Sequence, residues 1–531
     1  MKNKQFIAIK YLLITAISIS GCSHINDNPP EQEFPVKSLS SSEQVIKTKL
    51  GKSRSLSPNF MCYNVNSTQV ENWQDKKFTN AVNSLHPTSL RIPGGDVGNY
   101  WHWQRGGLIE DTSALPSGLP FFLRFKARQY TASTLPNFKV GLDATNTDPI
   151  FVVNMLTSNL ESQLKMLQSA QNLGINIKYI ELGNEFYFNI PNYKKTFPNP
   201  RSYGLKAKKW AEEIKKQFPK VTISVVGVVP TPDKPLRLQH WNRVMRKTVL
   251  PTSDAITLHI YNGHGLTNQF YPTESFPFFQ DNEVATILGE PFRNWQKLKN
   301  DPNYQAIPSN KKIWITEYNL FENIFRDGQE KPIPRIAGSW VHGLYNLATS
   351  LLFLEEPRVE LICNHSLIES SIFGAIFSSS DSFVNPVDKN MTATPMTLSA
   401  TGSALSLLGN ATKNMNSATP IEFTQSPQLK GKDSFIYSAL YGWKLKNDTE
   451  DRTILLNLSP EEKAIDLSNL FSNSVQYQQL SGSPKDLVNQ PGVLTLTSGE
   501  VNQEIMLPGY SVTHFYQGSL TNFDSGLIKS D

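Results

Sequence analysis

Eight short apolar runs, separated by stretches with helical patterning, constrain the fold of this 531-residue chain more than any other feature. They are Phe60–Val65, Ser89–Ile92, Ile150–Met155, Tyr179–Leu182, Val221–Val228, Ala255–Ile260, Ile313–Thr316 and Val359–Cys363. Several are continuous Val/Ile runs rather than alternating ones, the pattern of parallel strands covered on both faces. The segments between them carry helix signals. Glu161–Leu173 is one, Ala337–Leu354 another, and Tyr203–Phe218 places Leu205, Trp210, Ile214 and Phe218 at helix-compatible spacings. Strand and helix in repeated alternation predict a closed (β/α)8 TIM barrel over residues 57–412. A doubly wound open sheet is the competing α/β architecture, but the chain lacks the Gly-rich phosphate loop that would support it.

After residue 412 the pattern changes. Ser434–Ser438, Arg452–Asn457, Val493–Thr497 and Tyr510–Phe515 alternate apolar and polar residues, with Gly, Asn and Pro between them. This predicts an antiparallel β-sandwich over 413–518, followed by a tail at 519–531. Residues 22–56 are mostly rich in Ser, Asn, Pro and Glu and read as a tether. Their later part, Glu43–Leu50, is a candidate extra strand for the sandwich.

The first 21 residues read as a targeting segment. Lys2, Lys4 and Lys10 precede the apolar run Tyr11–Ile19, which is short for a permanent membrane span. Ile19-Ser-Gly-Cys22 resembles the bacterial lipobox. That resemblance implies a signal peptide over 1–21, lipidation of Cys22 and anchoring to a membrane by lipid alone, and Ser23 resembles an outer-membrane sorting signal. The formal charge of +5 owes three charges to those lysines, which leaves +2 for the rest. So small an excess predicts no nucleic-acid partner. Cys62 and Cys363 fall on the first and last predicted strands. An exported protein could oxidise them to a disulfide; buried free thiols are the favoured of the two readings, because adjacent parallel strands rarely offer disulfide geometry.

Polar residues gather at the carboxyl ends of the apolar runs, where a barrel brings its functional groups together. The second run gives Arg91 before Pro93-Gly-Gly95, the third Asn154, the fourth Asn184-Glu185, the sixth His259 and Tyr261, and the seventh Glu317. Two convergent carboxylates suit glycosidic bond cleavage, one as nucleophile and one as acid/base. A nucleophile must stay ionised, and Arg91 and the Tyr261 hydroxyl would favour that state. Asn184 is a candidate for binding a sugar 2-hydroxyl. Arg91, Asn154, Asn184, His259, Tyr261, Trp101 and Trp103 are the candidate substrate-binding residues. Their plain alternatives are a structural ion pair for Arg91, a core histidine for His259, a loop-holding Asn154 and aromatic packing between loop and barrel. The scheme requires no metal or organic cofactor. The chain offers no His-x-Glu or Cys-x-x-Cys zinc spacing and no Gly-x-Ser-x-Gly elbow.

Leu90-Arg-Ile-Pro-Gly-Gly95, Val152-Val-Asn154, Glu181-Leu-Gly-Asn-Glu185, Ser253–Tyr261 and Ile315-Thr-Glu317 together resemble the clan A glycoside hydrolases. The nearest resemblance is to the α-L-arabinofuranosidase group, then to the heparanase and β-glucuronidase group, over residues 57–518. It implies a retaining mechanism on an oligo- or polysaccharide, with Glu185 as acid/base and Glu317 as nucleophile. It also implies a C-terminal sandwich whose last strand is Leu507–Thr513. The sequence departs from the arabinofuranosidases at Phe186-Tyr-Phe188 and in the aromatic-rich stretches Tyr100–Trp103 and Phe270–Phe279, which bear on the sugar rather than the reaction. The alternative function is a carbohydrate-binding surface lipoprotein on the same fold, without turnover.

Overall fold

The computed structural model describes residues 45–67, 70–108, 133–229, 238, 240–262, 281–320, 336, 338–369, 373–378 and 393–517. Cys22, residues 1–21, the tail at 519–531 and the aromatics Phe270–Phe279 lie outside them.

All eight predicted runs form strands: β1 (Met61–Asn64), β2 (Ser89–Ile92), β3 (Asp148–Val152), β4 (Tyr179–Leu182), β5 (Thr222–Val226), β6 (Ala255–Asn262), β7 (Lys312–Leu320) and β8 (Val359–Asn364). Each pairs in parallel with its chain neighbours, and β8 pairs with β1 to close the barrel. Three strand ends that bear on the site differ from expectation. β3 stops at Val152, so Asn154 lies in the following loop. β6 and β7 run on together to Asn262 and Leu320, so Glu317 lies inside its strand rather than at its end.

A helix follows each strand: α1 (Lys76–Ser84), α2 (Leu135–Thr145), α3 (Leu160–Asn172), α4 (Pro200–Gln217), α5 (Trp241–Thr248), α6 (Asp281–Lys299), α7 (Trp340–Phe353) and α8 (Ala400–Thr412). α4 shows how sequence sets a boundary. Asn199 and Ser202 form a reciprocal capping box, and Pro200 sits where its missing N–H costs nothing. Its inner face buries Tyr203, Ala207, Trp210 and Ile214, whereas Leu205, expected on that face, is 50% exposed. α7 and α8 are almost wholly buried, because α8 packs against both α7 and the C-terminal sheet. Among the described residues no helix is long and apolar enough to cross a membrane.

Inside the barrel, Cys62, Ile150, Tyr179, Ala255, Trp314, Leu361 and Cys363 form a compact apolar plug. The expectation of free thiols is corrected here, because Cys62 and Cys363 form a disulfide. The two cysteines are direct register partners across the β8–β1 seam, with Cα atoms 4.1 Å apart. In-register pairing with both side chains on the inner face supplies the approach that a staggered pair would lack.

The C-terminal domain is a ten-stranded sheet with a core of its own, including Ile421, Leu455, Ile465, Leu467, Leu507 and Phe515. The strand Ile46–Leu50 belongs to it. It runs antiparallel to Ser417–Phe423 and parallel to Lys463–Asp466, so the sheet is mixed rather than purely antiparallel. Trp340 at the start of α7 joins the two cores, its indole N–H donating to the Tyr510 carbonyl at 2.7 Å.

Candidate active site

The site is built around Arg91, which points from β2 into the barrel and is fully buried. Its Nε and Nη2 bind both oxygens of Glu181 at 2.7 and 3.1 Å. Its Nη1 donates to Glu317 Oε1 at 2.8 Å and to Asn64 Oδ1 at 3.0 Å, and Nη2 donates to Asn184 Oδ1 at 2.7 Å. A guanidinium has five N–H donors, so every one is committed to protein. The sequence-based assignment of Arg91 to substrate binding is therefore corrected: it holds other side chains in place and has no donor left for a sugar.

Glu317 receives that bond on one oxygen and the Tyr261 hydroxyl on the other, at 2.6 Å. Burial alone would raise its pKa. The nearby charges of His259, His365 and Arg91, with the Tyr261 bond, outweigh burial and hold it down at about 2. A backbone irregularity aims this residue. The β6–β7 register shifts between Leu258 and His259, so His259 lies opposite Glu317 rather than Thr316. Consecutive residues of a regular strand face opposite sides, yet here Thr316 reaches Glu181 and Glu317 reaches Arg91, both in the interior.

Glu185 lies beyond β4, in the turn Gly183-Asn-Glu185. Gly183 has φ +83°, and a Cβ there would stand 2.1 Å from the Phe186 ring, so glycine is required. Glu185 itself has φ 48°. Its Oε1 accepts from the Tyr187 hydroxyl at 2.8 Å and lies 2.7 Å from His259 Nδ1. His259 Nδ1 is also 3.6 Å from Glu317 Oε2, and its Nε2 is 3.0 Å from Thr316 Oγ1. The imidazole thus stands between the two carboxylates. Burial would lower its pKa, but Glu317 and Glu185 reverse that and raise it. One oxygen of Glu185, one of Glu317 and a His259 nitrogen lie within 4.8 Å of one another. A divalent cation would accept this donor set, although the same groups already bond to Tyr187, Tyr261 and Thr316.

The other candidates divide. Asn184 is at the site, with its amide committed on both sides: Oδ1 to Arg91 and Nδ2 to Asp96 Oδ1 at 3.0 Å. Asn154 does not present its side chain to the glutamates. Its Oδ1 accepts from the backbone of Leu156 and Thr157, and its Nδ2 donates to the Trp101 carbonyl and Thr157. It closes the β3–α3 loop, which corrects its assignment to substrate. Trp101 is corrected likewise. It is fully buried against Phe138, with its indole N–H on the Ser133 carbonyl. Trp103 is half-buried and donates to Ser162 on α3.

Asp96, Glu181, Asn64, His365 and Tyr187 join the cluster without having been singled out from sequence. Asn64 and His365 follow the same rule as the others, polar residues closing β1 and β8. Glu181 had a signal of its own, an acid in the middle of an apolar strand. Asp96 directly follows the Gly-Gly turn. Burial and the charge of Glu185 push its pKa up to about 7, against bonds from Tyr193 and Asn184 that pull it down.

No protein-family model matches the sequence, and a search of curated proteins finds no match. Solved structures do share its architecture. The family 51 α-L-arabinofuranosidase from Thermotoga petrophila RKU-1 is 17% identical, with a TM-score of 0.60 over 89% of this chain and 100% of its own. The family 51 α-L-arabinofuranosidase AbfB from Bifidobacterium longum is 13% identical, with a TM-score of 0.63 over 88% of this chain and 97% of its own. A 4-O-α-L-rhamnosyl-β-D-glucuronidase from Fusarium oxysporum 12S is 13% identical, with a TM-score of 0.56 over 89% and 100%. The chain therefore has the two-domain fold of the clan A glycoside hydrolases, a closed eight-stranded parallel barrel followed by a sheet domain.

Proposed function

We propose that this protein is a retaining glycoside hydrolase in which Glu317 is the nucleophile and Glu185 the acid/base. The observation that carries this reading is the approach of the two carboxylates, with oxygens within 4.8 Å, at the mouth of the barrel. Retaining enzymes place the pair about 5–5.5 Å apart, whereas inverting enzymes leave about 6.5–9.5 Å for a water. The two environments also differ as the roles require. Glu317 is held ionised by Arg91, Tyr261 and the neighbouring histidines, ready to attack an anomeric carbon.

Glu185 and His259 share a proton position. The Thr316 hydroxyl donates to Glu181, so its oxygen accepts from His259 Nε2. That leaves one proton between His259 Nδ1 and Glu185 Oε1, available to the leaving oxygen. After glycosylation the same pair takes a proton from the incoming water, which releases the sugar. The carboxylate pair argues against the alternative of a binding protein without turnover. The substrate is a carbohydrate, with α-L-arabinofuranosides and β-glucuronides the first to test because the structural neighbours act on such sugars. The Ile19-Ser-Gly-Cys22 motif supports a lipid anchor on Cys22 and an outer-membrane location. The buried disulfide fits an oxidising compartment.

The test is hydrolysis of a panel of aryl glycosides and plant or algal polysaccharides by wild type, Glu317→Ala and Glu185→Ala. Both variants should be nearly inactive, and azide should partly restore Glu185→Ala on an activated substrate. Equal activity in all three proteins would refute the assignment.

A further inference from the structure

Asp96 is a carboxylate for which the two-glutamate scheme has no use. It opens the short turn Asp96–Asn99 that follows Gly95. The turn is bolted to the segment carrying Glu185. Asn99 Nδ2 donates to the Asn184 carbonyl at 2.8 Å, and the Asn184 backbone N–H donates to Asn99 Oδ1 at 3.0 Å. Asp96 Oδ1 accepts from Asn184 Nδ2 at 3.0 Å and from the Tyr193 hydroxyl at 2.8 Å. On the other side, a Cβ built on the preceding Gly95 would stand 3.5 Å from Glu317 Oε1. Asp96 is therefore fixed by hydrogen bonds from Tyr193 and from Asn184, the residue before Glu185, and it follows the glycine that approaches Glu317. The titratable groups around it are Glu185 and Glu317, the phenols Tyr100, Tyr187 and Tyr193, and His259 across Glu185. Arg91, the cation of the cluster, already faces Glu181 and Glu317.

We propose that Asp96 is a positioning residue that acts by charge: it does not touch the reacting bond, but it sets how tightly the Glu185–His259 pair holds the acid proton, and so sets the alkaline limit of the reaction. The proposal rests on the glycosidase reading above. An ionised Asp96, linked through Asn184 to the segment carrying Glu185, disfavours loss of a proton that would leave a further negative charge in a buried cluster. Asn184 is a suitable link, since one amide touches both the Arg91 cation and this carboxylate. Burial and the charge of Glu185 push Asp96 up to about 7, so its own charge changes near neutral pH.

The experiment is the pH profile of kcat/KM for wild type and Asp96→Asn on two substrates. One is an alkyl or phenyl glycoside that needs protonation of its leaving group. The other is a dinitrophenyl glycoside of the same sugar that does not. Asp96→Asn should lower the alkaline limb by about one pH unit on the first substrate and leave it unmoved on the second. A merely structural role would depress both substrates together without moving either limb. Tyr193→Phe keeps Asp96 but removes a bond favouring its ionised form. It should shift the limb the same way by less, and it serves if Asp96→Asn does not fold. An unmoved limb in a folded variant overturns the role of Asp96 alone. A wild-type protein that cleaves no glycoside overturns the functional reading beneath it.

Discussion

Replacing Arg91 by lysine tests the central claim that this residue organises the site rather than binding substrate. Arginine makes five hydrogen bonds here, to Glu181, Glu317, Asn64 and Asn184. Lysine keeps the charge but has three donors on a single nitrogen. At least two bonds are lost, each worth about 1.5–3 kcal/mol where a charged group is involved, so a destabilisation of about 3 kcal/mol is expected. Breaking a buried ion pair outright costs about 3–5 kcal/mol, which brackets the same figure. For a chain of this length the unfolding entropy is about 1 kcal/mol per kelvin, so the melting temperature should fall by about 3 °C.

The kinetics should follow from misplacement of Glu317, with kcat down about 100-fold and KM changed less than about threefold. pH dependence adds a third reading. The depressed pKa of Glu317 gives stability that is complete above its ordinary value near 4.5 and is lost as pH falls towards about 2. A weaker contact at position 91 raises the lower end of that window, so both activity and stability should fail at a higher pH than in wild type. Melting curves and steady-state kinetics across pH 3–7 measure all three effects. A variant with unchanged melting temperature and kcat but a raised KM would show that Arg91 contacts substrate, and the argument from its five donors would be wrong.

Two further outcomes are expected. Cys62→Ala/Cys363→Ala should lower stability by up to about 6 kcal/mol, the chain-entropy ceiling for a link across 301 residues, and native protein should resist reduction because both sulfurs are buried; finding two free thiols in unreduced, denatured protein would refute the bond. Expressed in a Gram-negative host, Cys22→Ser should move the protein from the membrane fraction to the soluble fraction, and continued sedimentation with membranes would end the anchor proposal.

Much of the fold and half of the site were legible in the amino-acid order. Apolar runs of strand length, separated by helical ones, can bury both faces of each strand in few ways other than a closed parallel barrel. Carboxylates and amides at the ends of those runs then have to meet at one mouth. The fold brings Glu185, Glu317, His259, Tyr261 and Asn184 into one cluster in this way. What each group does to its neighbours was decided only by the tertiary structure. Arg91 and Glu317 are 226 positions apart, and no local pattern tells whether a guanidinium at that distance retains a free donor. The same holds for Cys62 and Cys363, whose bond depends on the register of the barrel seam, and for Trp101 and Asn154, whose polar atoms turn to nearby backbone. The register shift that lets Glu317 share the interior with Thr316 leaves no trace in hydrophobic periodicity. Periodicity reports which face of an element is dry; partners within hydrogen-bonding reach are set by how separate elements pack, and that is a property of the folded chain.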